Sequence, residues 1–128
     1  MRMTMSRPSK RILIVDDDAA IRRTLSELLE EEGYAVACAA NGREALACLR
    51  DDPSSIALVL LDLMMPVMDG FQFRAEQKRD PTLAATPIVV MTARGATERA
   101  GIDADAILSK PFDVLKLMDT IERSCRKG

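Results

Sequence analysis

Leu58-Val59-Leu60-Leu61-Asp62-Leu63-Met64-Met65-Pro66-Val67-Met68-Asp69-Gly70 is the stretch that decides how this chain folds. The apolar run from Ile56 to Leu61 reads as a strand buried on both faces, and it stops abruptly at one carboxylate, Asp62. Pro66 and the Asp69-Gly70 pair then enforce a turn before a helix. In an open parallel sheet, groups at the carboxyl end of a strand project into the crevice where ligands bind. Asp62 is thereby placed for chemistry, and the groups that join it there decide which.

Upstream, Arg11 to Val15 is a short buried strand closed by Asp16-Asp17-Asp18. Asp18 is placed to cap the helix that follows, because its carboxylate can accept from the orphan amides of the first turn. Ile21, Leu25, Leu28 and Leu29 recur at helical spacing opposite a charged face, and Gly33 suits the end of that helix. Tyr34 to Ala39 reads as a second strand, and Asn41 with Glu44 resembles a capping box. Ala45, Leu46 and Leu49 face inward from the second helix, and Asp52 to Ser55 is a loop. Downstream, a third helix over Gly70 to Arg79 is stopped by Asp80-Pro81. Pro87 opens a fourth strand, Ile88 to Met91, ending at Thr92-Ala93. A weak helical segment, about Ala96 to Ala100, precedes a brief fifth strand, Ala106 to Leu108, closed by Ser109-Lys110-Pro111. Asp113 caps a last helix with Val114, Leu117, Met118 and Ile121 inward. Strand and helix alternate five times, which predicts an α/β doubly wound parallel sheet with right-handed crossovers.

The 128 residues are enough for one domain with a real core, and 48% hydrophobic with 30% charged residues is a globular balance. Met1 to Lys10 has no periodicity and reads as a loose leader, with the domain running from residue 11 to 126 and no output domain expected. A formal net charge of −2 gives no general attraction to nucleic acid or anionic lipid, and neither a membrane span nor a signal peptide is present in the sequence. Three widely spaced cysteines and no histidine leave an ordinary zinc site without ligands and exclude Ser-His and Cys-His nucleophile pairs. Reduced thiols and a cytoplasmic location are expected. Carboxylates, hydroxyls and lysines remain for chemistry.

Four strand ends carry such groups: Asp16 and Asp17, Asp62, Thr92, and Lys110. Each alone has a plain structural explanation, as a helix cap, a turn, an edge residue or a loop start. Together they fall at the same edge of one sheet. Carboxylates gathered there repel one another and require a compensating cation. A hard ion such as Mg²⁺ prefers oxygen ligands and bridges phosphoryl oxygens, while a carboxylate can act as nucleophile toward phosphorus. A lysine and a hydroxyl can hold the remaining phosphoryl oxygens. The pattern is that of a metal-assisted phosphoryl acceptor with Asp62 as nucleophile.

From Arg11 to Cys125 the sequence resembles a stand-alone receiver domain of the bacterial response-regulator family (the CheY-like fold). The matching pieces are Ile-Leu-Ile-Val-Asp-Asp-Asp, Leu-Asp-Leu-Met-Met-Pro-Val-Met-Asp-Gly, Val-Met-Thr-Ala and Ser-Lys-Pro-Phe. The resemblance implies a five-stranded parallel sheet in order 2-1-3-4-5 and a phosphoacceptor signalling domain rather than an enzyme. It implies that Asp62 takes a phosphoryl group from the phosphohistidine of a sensor histidine kinase or histidine phosphotransfer protein. Asp16, Asp17, Asp62 and the backbone carbonyl of Met64 would hold Mg²⁺ (or Mn²⁺), Asp17 more directly than Asp16. Thr92 and Lys110 would contact the phosphoryl group, and the bond before Pro111 is expected to be cis. The phosphorylated state would change binding to a downstream protein, as a monomer or a phosphorylation-dependent dimer, with no direct DNA binding and no membrane contact.

Three features depart from the family pattern. Ile107 stands where an aromatic switch residue is usual. Thr92 and Lys110 are 18 positions apart, short of the usual spacing by roughly one helical turn. That predicts a stunted fourth helix and an atypical partner surface, or else a harmless deletion on an exposed element. Met64 and Arg94, each two residues past a site residue, would border the phosphoryl group and slow its hydrolysis, or simply point into solvent. Two rivals remain: a haloacid-dehalogenase-type phosphatase acting through Asp16, whose Asp16-x-Asp18 matches in form, and a phosphorylation-silent binding domain.

Overall fold

The computed structural model of the chain describes residues 10–93, 104–110 and 113–127. The strands are β1 (Arg11–Val15), β2 (Ala35–Ala39), β3 (Ile56–Asp62), β4 (Ile88–Ala93) and β5 (Ala106–Lys110). The helices are α1 (Ala19–Glu31), α2 (Gly42–Asp51), α3 (Gly70–Arg79) and α4 (Val114–Lys127), with one 3₁₀ turn at Pro53–Ser55. The leader and the weak helical segment about Ala96 to Ala100 fall on residues outside this description.

All strand pairs are parallel, in the order β2-β1-β3-β4-β5 that the family resemblance implies. The central strands are apolar on both faces because both faces are covered. Leu13, Val15, Val59, Leu61, Ile88 and Val90 pack with Ala45, Leu46 and Leu49 of α2 and Phe73 of α3. The alternate residues, Ile12, Ile14, Leu58, Leu60, Val89, Met91 and Leu108, pack with Leu25 and Leu29 of α1 and Leu117 and Ile121 of α4. Each fully buried aliphatic side chain contributes about 1.5–3 kcal/mol from its removal from water. Val114, expected inward, is instead exposed, because it opens α4 outside that apolar cluster.

The helix ends follow local chemistry. Asp18 Oδ1 accepts from the amides of Ala20 and Ile21 at 2.8 and 3.3 Å. Asp113 Oδ1 accepts from Lys116 N at 2.6 Å. Gly33, at φ 94, lets α1 finish with its own amide on the Glu30 carbonyl and that of Tyr34 on Leu29. Asn41 caps α2 through Glu44 N, but Glu44 returns its carboxylate to Ala40 N rather than to Asn41 N. The fully reciprocal capping box is at α3, between Asp69 and Gln72. All three cysteines are free thiols; Cys48 and Cys125 are half-buried, while Cys38 is exposed.

Candidate functional site

The carboxyl ends of β1 and β3 lie side by side, with Val15 opposite Leu61 in the register. The residues that follow, Asp16 and Asp62, therefore arrive together at one edge of the sheet. One carboxylate oxygen from each of Asp16, Asp17 and Asp62 falls within 4.8 Å of the others. Asp16 and Asp62 are buried and Asp17 is exposed. This is a set of hard oxygen donors open on one side, a composition that suits Mg²⁺ or Mn²⁺ and offers nothing to a soft metal.

Asp16 is fixed by the end of β2, by α1 and by its own loop. Its amide donates to the Ala39 carbonyl at 3.1 Å, its carbonyl accepts from Arg22 Nη1 at 2.6 Å, and its Oδ1 accepts from Asp18 N at 2.9 Å. Asp62 ends β3 in register with Met91 of β4, and its Oδ1 lies 3.4 Å from the Met64 amide. Met64 itself turns its side chain to solvent, 73% exposed.

Sequence reading ended β4 at Met91 and β5 at Leu108, but both strands run two residues further, so Thr92 and Lys110 lie on the sheet rather than beyond it. Thr92 pairs with Ser109, and Ala93 with Lys110. Thr92 follows the strand partner of Asp62 and is 1% exposed, and its Oγ1 has no hydrogen-bond partner among the described residues. A buried hydroxyl left unpaired costs about 1–3 kcal/mol. The backbone of Lys110 closes β5; its side chain, Arg94 and Pro111 lie outside the described residues. Ile107 is 41% exposed on the outer strand rather than packed into the core.

Sequence reasoning missed Gly42 and Val67, which shape the loop after β3. The Asn41–Glu44 capping pattern marks a helix start there and discloses nothing of the Gly42 contact with Met68. No helix among the described residues is long and apolar enough to cross a membrane.

Residues 12–122 match the family described as the response regulator receiver domain. The transcriptional regulatory protein TcrA of Mycobacterium tuberculosis is 39% identical over 122 residues, covering 92% of this chain and 47% of TcrA. The transcriptional regulatory protein ResD of Bacillus subtilis is 40% identical over 122 residues, covering 92% of this chain and 49% of ResD. The chain thus spans about half the length of these curated relatives. Among solved structures, the chemotaxis response regulator CheY4 of Vibrio cholerae superposes with a TM-score of 0.81 at 33% identity, over 91% of this chain and 98% of that one. The receiver domain of the sensor histidine kinase PA1611 from Pseudomonas aeruginosa gives 0.82 at 26% identity, over 92% and 98%. That structure holds a magnesium ion in its active-site cleft. On this match over nearly its whole length, the chain belongs to the response-regulator receiver domain family, the phosphoacceptor signalling module of two-component systems.

Proposed function

We propose that Asp62 accepts a phosphoryl group from a phosphohistidine on a histidine kinase or histidine phosphotransfer protein, and that the aspartyl phosphate changes the binding of a partner protein. The observation that carries this reading is the cluster of Asp16, Asp17 and Asp62 at the carboxyl edge of the sheet, two of the three buried. Asp16, Asp17, Asp62 and the Met64 carbonyl are the groups that would hold Mg²⁺ or Mn²⁺. Bound there, the ion offsets the carboxylates' mutual repulsion and withdraws charge from the phosphoryl oxygens.

Asp62 supplies the attacking oxygen. The O–P bond forms as the N–P bond to histidine breaks, and the imidazole leaves with the electron pair. Burial of Asp62 limits competition from water. Thr92 Oγ1, without a partner among the described residues, supports a role as donor to a phosphoryl oxygen, which would satisfy it. By the same reading Lys110 supplies the positive charge on the other side, and Ile107, half out of the core, reports the change without an aromatic ring. The donor would be a cytoplasmic kinase, and the chain itself would not bind DNA.

The test is intact mass after incubation with Mg²⁺ and acetyl phosphate, alongside Asp62→Ala. A single phosphoryl adduct that depends on Mg²⁺ and is absent from the variant is expected. No adduct on the unaltered chain would leave a phosphorylation-silent binding domain.

A further inference from the structure

The loop between β3 and α3 is held by an element that brings no carboxylate to the cluster. Val67 stands at φ 70, a left-handed conformation that a β-branched residue enters only under strain. The Met68 amide donates back to the Pro66 carbonyl at 2.7 Å, which closes a three-residue turn around Val67. With positive φ at its centre, this is the rare, strained kind of such turn. Strain of this sort persists only where the surroundings over-determine it. The Val67 side chain is 68% exposed, so its own packing does not supply that restraint.

The restraint is main chain. The Met68 carbonyl accepts from the amide of Gly42, the first residue of α2, at 2.8 Å. A Cβ at position 42 would lie 2.7 Å from Met68 Cγ and 2.8 Å from Met68 O. The first of these atoms could swing aside; the second is backbone and can move only with the turn. On the other side, the Gly70 amide donates to the Leu63 carbonyl at 2.9 Å and closes the loop into a ring. Within that ring three residues, Met65 to Val67, link Met68 to Met64, and Pro66 fixes its own φ among them.

We propose that Gly42 is a positioning residue of the acidic site: its amide and its bare Cα hold the strained Pro66–Val67–Met68 turn, and through it the Asp62–Met64 segment, in the place that receives the divalent ion. The inference rests on the reading that the cluster binds Mg²⁺. It makes α2, which contributes no ligand, part of the apparatus that orients the site.

Three full-length proteins test it: the unaltered chain, Gly42→Ala and Gly33→Ala. Gly33 has φ 94 with nothing within 4 Å of a built Cβ, so alanine there strains the backbone away from the site and controls for lost stability. Two measurements are made, an Mg²⁺ titration followed by backbone amide shifts, and amide hydrogen exchange without metal. Gly42→Ala should weaken Mg²⁺ about tenfold, the range seen when outer-shell support of a metal site is removed. It should also speed exchange at Met68 and Gly70 about tenfold through local opening. Gly33→Ala should do neither. If Gly42→Ala does not fold, Gly42→Ala with Met68→Ala removes the Cγ clash, keeps the carbonyl clash and should show the same losses. Unaltered exchange at Met68 and Gly70, or unaltered Mg²⁺ affinity, in the position-42 variant overturns the proposal. Absence of any Mg²⁺ response in the unaltered chain overturns it too, and is distinguishable because the metal reading itself then fails.

Discussion

The β1–α1 connection runs three residues, Asp16 to Asp18, and the β3–α3 connection runs seven, Leu63 to Asp69. The first brings Asp16 and Asp17 to the cluster, and the second follows directly on Asp62, the last residue of β3. The short connection holds no positive φ and is tied mainly by side chains: Asp16 accepts from Asp18 N, Asp18 from the first turn of α1, and Arg22 of α1 reaches back to the Asp16 carbonyl. Beside these stands one main-chain bond, from the Asp16 amide to Ala39. The long connection is tied by main-chain hydrogen bonds to Leu63, Pro66 and Gly42, and it holds Val67 at positive φ. It also leaves the Met64 and Val67 side chains exposed. One loop is a fixed acidic shelf; the other stores strain beside the acceptor.

Three substitutions break or sharpen that contrast. The largest effect is expected at Gly70→Ala, where a Cβ would lie 2.7 Å from the Asp62 carbonyl oxygen and 2.8 Å from Leu63 Cα. Both are backbone atoms of the acceptor segment, so unfolding in urea should show a loss of about 2–3 kcal/mol, as overpacking of a tight site does. An unchanged midpoint would mean that the long loop is slack. Asp18→Ala comes next. Losing the α1 cap should cost about 1 kcal/mol in the same assay. Phosphorylation by acetyl phosphate should survive, since Asp18 only caps, and its loss would mean that the short loop is not self-sufficient. Val67→Gly is smallest and opposite in sign. Glycine relieves the positive φ but adds freedom to the unfolded chain, leaving a net gain of about 0.5–1 kcal/mol. A loss there would remove strain from the account.

The same contrast explains what could be read in the sequence. Asp16-Asp17-Asp18 after an apolar run announces both the strand end and the helix cap, because the capping residue and the amides it binds are neighbours in the chain. The parallel sheet followed from strand-helix alternation, and its order from the resemblance alone. The Asp69–Gln72 capping box also had a local signature but was passed over as a turn. The Gly42–Met68 contact had none, since it joins residues 26 positions apart through backbone atoms. The strain at Val67 depends on that contact, and a Pro-Val-Met triplet does not disclose it. The Thr92 hydroxyl could be placed at the sheet edge from sequence, whereas its burial without a partner among the described residues emerges only from packing.

The central claim is that Asp62, and not another carboxylate of the cluster, carries the phosphoryl group. Borohydride reduction of the acyl phosphate, after reaction with acetyl phosphate and Mg²⁺, converts the acceptor aspartate to homoserine, and peptide sequencing reads its position. Homoserine at position 62 alone is the predicted result. Homoserine at position 16 would contradict it and point instead to a phosphatase-like use of Asp16.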